Sequence, residues 1–170
     1  MLLSILPSTL GSKLLSMFPE WSLPDKIAMT IQKEGWDEEF DVEKAAYKKL
    51  QCLQGHVIPV LYGQVNYNGV RALILSDIGG ACMSEPGGAL IDGQIMTDVE
   101  FRRLLFPALR ALLACGIAHD DVKLDNYRRV EHAGEMRIMV VDLEQVDDLE
   151  PTEETEKFVG WDVDHLTGRY

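Results

Sequence analysis

Basic residues are scarce in this sequence. Its 170 residues include 16 lysines and arginines against 28 aspartates and glutamates, which gives a formal net charge of -12. Binding nucleic acid over a wide surface requires a basic footprint that neutralises phosphates, so the composition argues against a nucleic-acid partner. An acidic chain remains compatible with magnesium-dependent nucleotide chemistry, in which the metal screens phosphate from the protein, and equally with solubility alone.

Cysteine is also rare. The three cysteines, Cys52, Cys82 and Cys115, are widely spaced and form no C-x-x-C pair or Cys/His cluster. This pattern argues against a zinc site and against a disulfide framework. A reduced, intracellular compartment is the simplest interpretation.

Long apolar runs are absent. No stretch approaches the roughly 18 consecutive apolar residues that indicate a membrane helix. The start of the chain is apolar, but Pro7 interrupts it and no basic residue precedes it, unlike in a secretory signal. We therefore expect a cytoplasmic protein without a membrane partner.

The first half of the chain predicts strands and one helix. Its strongest local signal is Asn68-Gly69 between two apolar, β-rich runs, because both positions of such a turn tolerate positive φ. In chain order, we predict an extension over 1–24 with a short helix around 13–18, a strand over 27–31, a helix over 37–53, hairpin strands over 57–65 and 70–75, a flexible connector over 76–80 and a loop over 81–96.

A long helix dominates the second half. The segment from Thr97 to Glu100 has the capping-box pattern, and apolar residues follow at i, i+3 and i+4 spacing up to Gly116, which should end the helix. Pro107 lies inside this pattern and should kink the helix. Beyond it, we predict a hairpin with strands over 127–130 and 137–141 that turns at Ala133-Gly134, and a solvated acidic tail from Asp147 to Glu156.

The most informative stretch is His119-Asp120-Asp121-Val122-Lys123-Leu124-Asp125-Asn126, followed by Asp142 at the end of an apolar run. It reads as H-x-D-x-K-x-x-N and then a strand that ends in aspartate, which is the catalytic-loop and metal-ligand pattern of kinases. Phosphoryl transfer needs a carboxylate that orients the acceptor hydroxyl and a cation beside the transferring phosphoryl. It also needs an amide and a second carboxylate that hold magnesium. The predicted elements follow the order of a kinase core from its third strand to its metal-binding aspartate.

The chain thus resembles the protein-kinase-like superfamily. It looks closest to the small kinase-like proteins of filamentous fungi that are related to the aminoglycoside phosphotransferase branch. The resemblance spans roughly residues 26–146 and is carried by segments 43–50, 53–59, 73–80 and 116–121.

This resemblance implies an α+β fold of the protein-kinase-like type. A reduced N-terminal lobe of antiparallel strands plus one helix would occupy 25–80, and a truncated, mainly helical C-terminal lobe with the catalytic loop would occupy 81–146. The 1–24 extension and an acidic tail over 147–170 would flank them.

The resemblance also implies the roles of the loop residues. Asp121 would be the catalytic aspartate that orients the acceptor hydroxyl, and Lys123 would lie by the transferring phosphate. Asn126 and Asp142 would ligate Mg²⁺, so ATP and Mg²⁺ are the expected cofactors. His119 is expected to brace the loop by hydrogen bonds rather than to act as a base.

Kinases further need a strand lysine on the nucleotide phosphates, paired with a helix glutamate. Lys33 and Glu43 are the best matches, with Lys26 and Glu39 as the respective alternatives. Two residues of the connector, Ser76 and Asp77, are further nucleotide-binding candidates.

Three departures from the pattern leave the activity open. No G-x-G-x-x-G is present, and Gly11 is the only glycine before Gly35. Leu143-Glu144 follows the metal aspartate in place of Phe-Gly. Only 28 residues follow Asp142, without an A-P-E motif, so a peptide substrate is not expected.

Two functions from different classes therefore remain. One is an ATP- and magnesium-dependent phosphotransferase with a small-molecule acceptor. The other is a pseudokinase, a catalytically inactive kinase relative that binds a protein partner as a scaffold. A remote third is a metal-dependent phosphohydrolase of the HD type, built on His56, His119-Asp120 and Asp142, which would be an all-helical protein.

Overall fold

The computed structural model describes residues 23–88, 90, 91 and 93–168. They divide into two compact units, one made of residues up to Ile31 together with Leu61–Asp77, and one made of Gln32–Val60 together with the residues from Ile78 onward. Most of the predicted 1–24 extension, including the helix expected around 13–18, lies outside the described residues.

The first unit is a three-stranded antiparallel sheet in the order β1-β3-β2. Asn68 and Gly69, with φ of 53° and 86°, form the turn between β2 and β3, and the Asn66 side chain accepts the Gly69 N–H at 2.8 Å. The predicted hairpin is confirmed, although its first strand begins later than expected. The strands are β1 (Ile27–Ile31), β2 (Leu61–Tyr67) and β3 (Val70–Ser76).

Three α-helices are described, all in the second unit: α1 (Asp37–Lys49), α2 (Asp98–Ala114) and α3 (Glu153–Thr167). The predicted capping box of α2 is confirmed, because the Thr97 hydroxyl accepts the Glu100 N–H at 3.2 Å and the Glu100 carboxylate accepts the Thr97 N–H at 2.9 Å. The helix continues through Pro107 and ends before Gly116, whose φ is 76°. None of these helices is long and apolar enough to cross a membrane.

The residues after Asp147 correct the expectation of a solvated acidic tail. The strand β10 (Val146–Asp148) overlaps the start of this segment, and the helix α3 that follows packs against α2. Three of the six acidic residues from Asp147 to Glu156 lie in the first turn of α3, where they interact favourably with the helix dipole. Val159, Val163 and Leu166 recur at helical spacing on the buried face. The charge of the segment therefore marks a helix start rather than a solvated tail.

Short antiparallel strands complete the second unit. Ala133 and Gly134, with φ of 54° and 80°, form the turn of the predicted second hairpin, which is confirmed. The expected loop over 81–96 contains three two-residue strands. The strands are β4 (Ala81–Cys82), β5 (Leu90–Ile91), β6 (Gln94–Ile95), β7 (Ile117–His119), β8 (Tyr127–His132) and β9 (Glu135–Val140). They pair as β4-β8-β9, β7-β10 and β5-β6.

Candidate functional site

The loop between β7 and β8 carries one hydrogen-bonded group of side chains. Lys123 Nζ lies 2.5 Å from Asp121 Oδ2, and Asn126 Nδ2 donates to the same oxygen at 2.9 Å and to the Asp121 carbonyl at 2.8 Å. Partial burial acts to raise the pKa of Asp121, but the bonds from Lys123 and Asn126 outweigh it and hold the pKa below its usual range. Asp121 is therefore an ionised, oriented carboxylate.

A second loop, between β9 and β10, presents Asp142. The backbone of Asp142 adopts φ of 65°, and its Oδ1 accepts the Glu144 N–H at 3.2 Å. Since a carbonyl can only accept, His119 Nε2 donates to the Asp142 carbonyl across 2.8 Å. Burial lowers the pKa of His119, which favours a neutral ring. His119 thus joins the two loops, which is the bracing role expected of it.

Lys33 does not pair with Glu43, the partner expected from the sequence. Lys33 Nζ forms its ion pair with Glu144 and also lies 4.5 Å from the centre of the Trp36 ring. The predicted Lys33–Glu43 pair is wrong for this conformation, because both carboxylate oxygens of Glu43 lack a hydrogen-bond partner among the described residues.

Glu43 is itself a poor partner for a charged lysine, because its charged form is disfavoured. Glu43 is fully buried on α1, and its desolvation, followed by the charges of Asp142 and Glu144, raises its pKa to about 8. The charge of Lys33 and the approach of the Leu143 amide oppose this rise without cancelling it. A carboxyl that is mostly protonated at pH 7 attracts a lysine only weakly.

Asp142 connects the two groups of side chains electrostatically. Its charge raises the pKa of both Lys33 and Lys123 and adds to the rise at Glu43. The structure therefore brings Asp121, Lys123 and Asn126 into direct contact and places Asp142 within electrostatic range of the lysines.

Two of the predicted site residues belong to the first unit. Ser76 is the last residue of β3, and Asp77 follows it, both in the first unit. Their assignment to a nucleotide stays a prediction. The alternatives Lys26 and Glu39 make none of the contacts described above.

The donor set suits magnesium better than a transition metal. No group of three His, Cys, Asp or Glu side chains among the described residues could hold a metal by itself. Mg²⁺ does not need such a cage, because it keeps several waters and is bound through one or two protein ligands plus substrate phosphates. Asn126 uses its Nδ2 on Asp121, which leaves Oδ1 for a cation, and Asp142 supplies a carboxylate.

The structure argues against the third candidate function, an HD-type phosphohydrolase. His56 Nδ1 lies 3.5 Å from an Arg137 guanidinium nitrogen, and His119 is bonded to a backbone carbonyl. The fold is also mixed rather than all-helical. His56, His119 and Asp142 thus lack both the fold and the shared metal site that this chemistry requires.

Two features of the site escaped the sequence argument. One is the ion pair of Glu144, whose partner Lys33 lies 111 residues away along the chain. Tyr47, one turn after Glu43, is fully buried, and its hydroxyl has no hydrogen-bond partner in the described part of the chain. Neither feature has a local sequence pattern that could have revealed it.

The comparisons with known proteins bear on the fold. No protein-family model matches the sequence, and no curated protein matches it. Among solved structures, the PknI kinase domain of Mycobacterium tuberculosis, crystallised as a cysteine-to-alanine mutant, is similar with a TM-score of 0.54 and 15% sequence identity. The chain has a kinase-like fold. The match covers 76% of this chain and 53% of the kinase domain, so the chain spans about half the length of this neighbour.

Proposed function

We propose that this kinase-like protein transfers a phosphoryl group from ATP to a small-molecule acceptor in a magnesium-dependent reaction. The observation that carries the proposal is the contact of Asp121 with Lys123 and Asn126, since one connected group supplies a carboxylate, a cation and an amide. The small-molecule acceptor follows from the resemblance to the aminoglycoside phosphotransferase branch.

Each residue has a defined task in this proposal. The lowered pKa of Asp121 keeps it charged at neutral pH, so it can accept a hydrogen bond from an acceptor hydroxyl and orient it. Lys123, which lies against Asp121, places positive charge beside the group being transferred. Magnesium, held by Asn126 and Asp142, would supply charge neutralisation on the phosphates.

The Lys33–Glu144 ion pair favours the second function, a pseudokinase. In this conformation Lys33 neutralises a carboxylate of the protein, so it is not available to nucleotide phosphates. If the pair persists with nucleotide present, the chain would bind ATP weakly or not at all and would act through a protein partner.

A turnover assay separates these functions. The full chain is incubated with ATP and Mg²⁺ and a panel of small hydroxyl and amine compounds, and ADP release is measured. We expect Asp121→Asn to lower turnover about a hundredfold or more, since a positioned general base contributes at least this much. Asp125→Asn is the matched control, because Asp125 lies exposed in the same loop and loses the same charge. Equal loss in both variants would contradict the role of Asp121.

A thermal-shift measurement tests nucleotide binding without turnover. We expect ATP with Mg²⁺ to raise the melting temperature of the native chain and not that of Asp142→Asn, because asparagine tolerates positive φ but lacks the charge. A shift without turnover on any acceptor would favour the pseudokinase. No shift in the native chain would refute nucleotide binding and leave the scaffold role.

A further inference from the structure

Two of the three cysteines meet in the second unit although 63 positions separate them. Cys52 Sγ lies 3.5 Å from Cys115 Sγ, and both are free thiols. Cys52 belongs to a short 3₁₀ turn, Gln51–Leu53, that follows α1, and Cys115 is the C-cap of α2. The two thiols therefore lie close together at the C-terminal ends of α1 and α2.

A separate contact holds these helix ends together. Lys49 Nζ, in the last turn of α1, donates to the Gly116 carbonyl at 2.7 Å and to the Asp148 carboxylate at 2.6 Å. The Cys115 N–H donates a hydrogen bond to the Leu112 carbonyl at 3.0 Å. The approach of the two sulfurs is therefore supported by neighbouring bonds and does not depend on the thiols alone.

The distance allows a covalent bond after a small movement. A disulfide requires the sulfurs to lie about 2.05 Å apart, so the gap must close by roughly 1.5 Å. Rotation about the Cα–Cβ bonds can supply much of such a shift. Cys82 offers no comparable arrangement, because its sulfur contacts the Ser84 hydroxyl at 3.1 Å and backbone carbonyls.

Oxidants can reach the pair from solvent. Cys52 is exposed, and Cys115 is partly exposed and lines an open cavity of about 440 Å³ beside Lys49 and Asp148. Burial raises the pKa of the Cys115 thiol, so the more accessible Cys52 is the better site of first attack.

We propose that Cys52 and Cys115 form a reversible, redox-controlled disulfide, with a low-molecular-weight disulfide such as oxidised glutathione as the oxidant. The Cys52 thiolate attacks the small disulfide, forms a mixed disulfide and releases one small thiol. The Cys115 thiolate then attacks Cys52 Sγ and releases the second small thiol. Two protein thiols are oxidised to one disulfide, one small disulfide is reduced to two thiols, and the two cysteine protons end on these products.

The bond would constrain the second unit. It closes a loop of 63 residue positions that contains all of α2, and cross-linking a long loop restricts the unfolded chain. We expect the oxidised chain to melt on the order of 5 °C or more above the reduced chain.

The experiment equilibrates the dilute full chain with glutathione buffers of increasing oxidised fraction. Remaining thiols are alkylated and counted by mass, and the linked peptides are identified after proteolysis. We expect the native chain to lose two of its three thiols together and to yield a Cys52–Cys115 peptide pair, with full recovery on adding dithiothreitol. Cys82→Ser should form the same pair.

Single substitutions of Cys52 and Cys115 test whether both thiols are required for the disulfide. Cys52→Ser and Cys115→Ser should form no intramolecular disulfide and show no rise in melting temperature with oxidised glutathione. Linked peptides that include Cys82, or only mixed disulfides with glutathione, would overturn the proposal. Alkylation of the native chain decides the question even where a variant fails to fold.

Discussion

Replacing Glu43 by glutamine should stabilise the protein above pH 5 and have little effect at lower pH. Glu43 is fully buried without a hydrogen-bond partner in the described residues, and its pKa rises from its usual 4.5 to about 8. Between these values the unfolded chain has released the proton that the folded chain retains. The free energy of unfolding therefore falls as pH rises through this window.

The magnitude follows from the pKa. One pH unit within this window corresponds to about 1.36 kcal/mol, so the free energy of unfolding falls by on the order of 4 kcal/mol between pH 5 and pH 8. The Glu43→Gln variant lacks the titrating proton and escapes this loss. Its amide is also desolvated, which offsets part of the gain at every pH, so the pH-dependent difference is the quantity to measure.

Urea unfolding followed by far-ultraviolet circular dichroism at pH 5, 6, 7, 8 and 9 measures this difference. We expect the free energies of unfolding of Glu43→Gln and the native chain to diverge steadily up to about pH 8 and then to run in parallel. Glu38→Gln is the control, because Glu38 lies exposed on the same helix. If Glu43→Gln and the native chain keep a constant difference from pH 5 to 9, Glu43 is not a buried, protonated carboxyl.

Two further predictions concern packing in the second unit. Val163→Ala should cost about 2 kcal/mol in urea unfolding, because Val163 is fully buried on α3, whereas Val99→Ala, 76% exposed, should cost less than about 0.5 kcal/mol. Equal costs would contradict the packing of α3. Gly80→Ala should lower the melting temperature strongly, because the added Cβ would overlap the Arg129 carbonyl at a φ of 72°, while Gly87→Ala, with open space around it, should change it little. A harmless Gly80→Ala would show that this contact is absent.

Local patterns predicted the local structure. Asn68-Gly69 and Ala133-Gly134 marked both hairpin turns, and the capping box at Thr97 marked the start of α2, because each depends on residues only a few positions apart. The helix α3 was missed because its acidic first turn was taken as a sign of solvation. Its apolar spacing at Val159 and Val163 was present in the sequence and carried the correct signal.

In the candidate site, too, the local contacts could be predicted from the sequence and the long-range contacts could not. The contact of Asp121 with Lys123 and Asn126 lies within one loop, so the spacing of the motif was enough to suggest that these side chains act together. Lys33 instead pairs with Glu144, 111 positions away along the chain, and no spacing rule predicts a contact between such distant segments.

The pairing of β7 with β10 closes most of the candidate site into one short loop. His119 pairs with Val146, so the segment between them is closed into a loop of about 27 residues that contains Asp121, Asn126 and Asp142. The entropy lost on closing a loop grows only slowly with its length, and contacts between residues close in sequence form fast. We therefore expect this loop to be able to form before Lys33 and Glu43 arrive from the preceding segment. In that order, the contacts of Asp121 with Lys123 and Asn126 form locally, and Lys33 and Glu43 are added later.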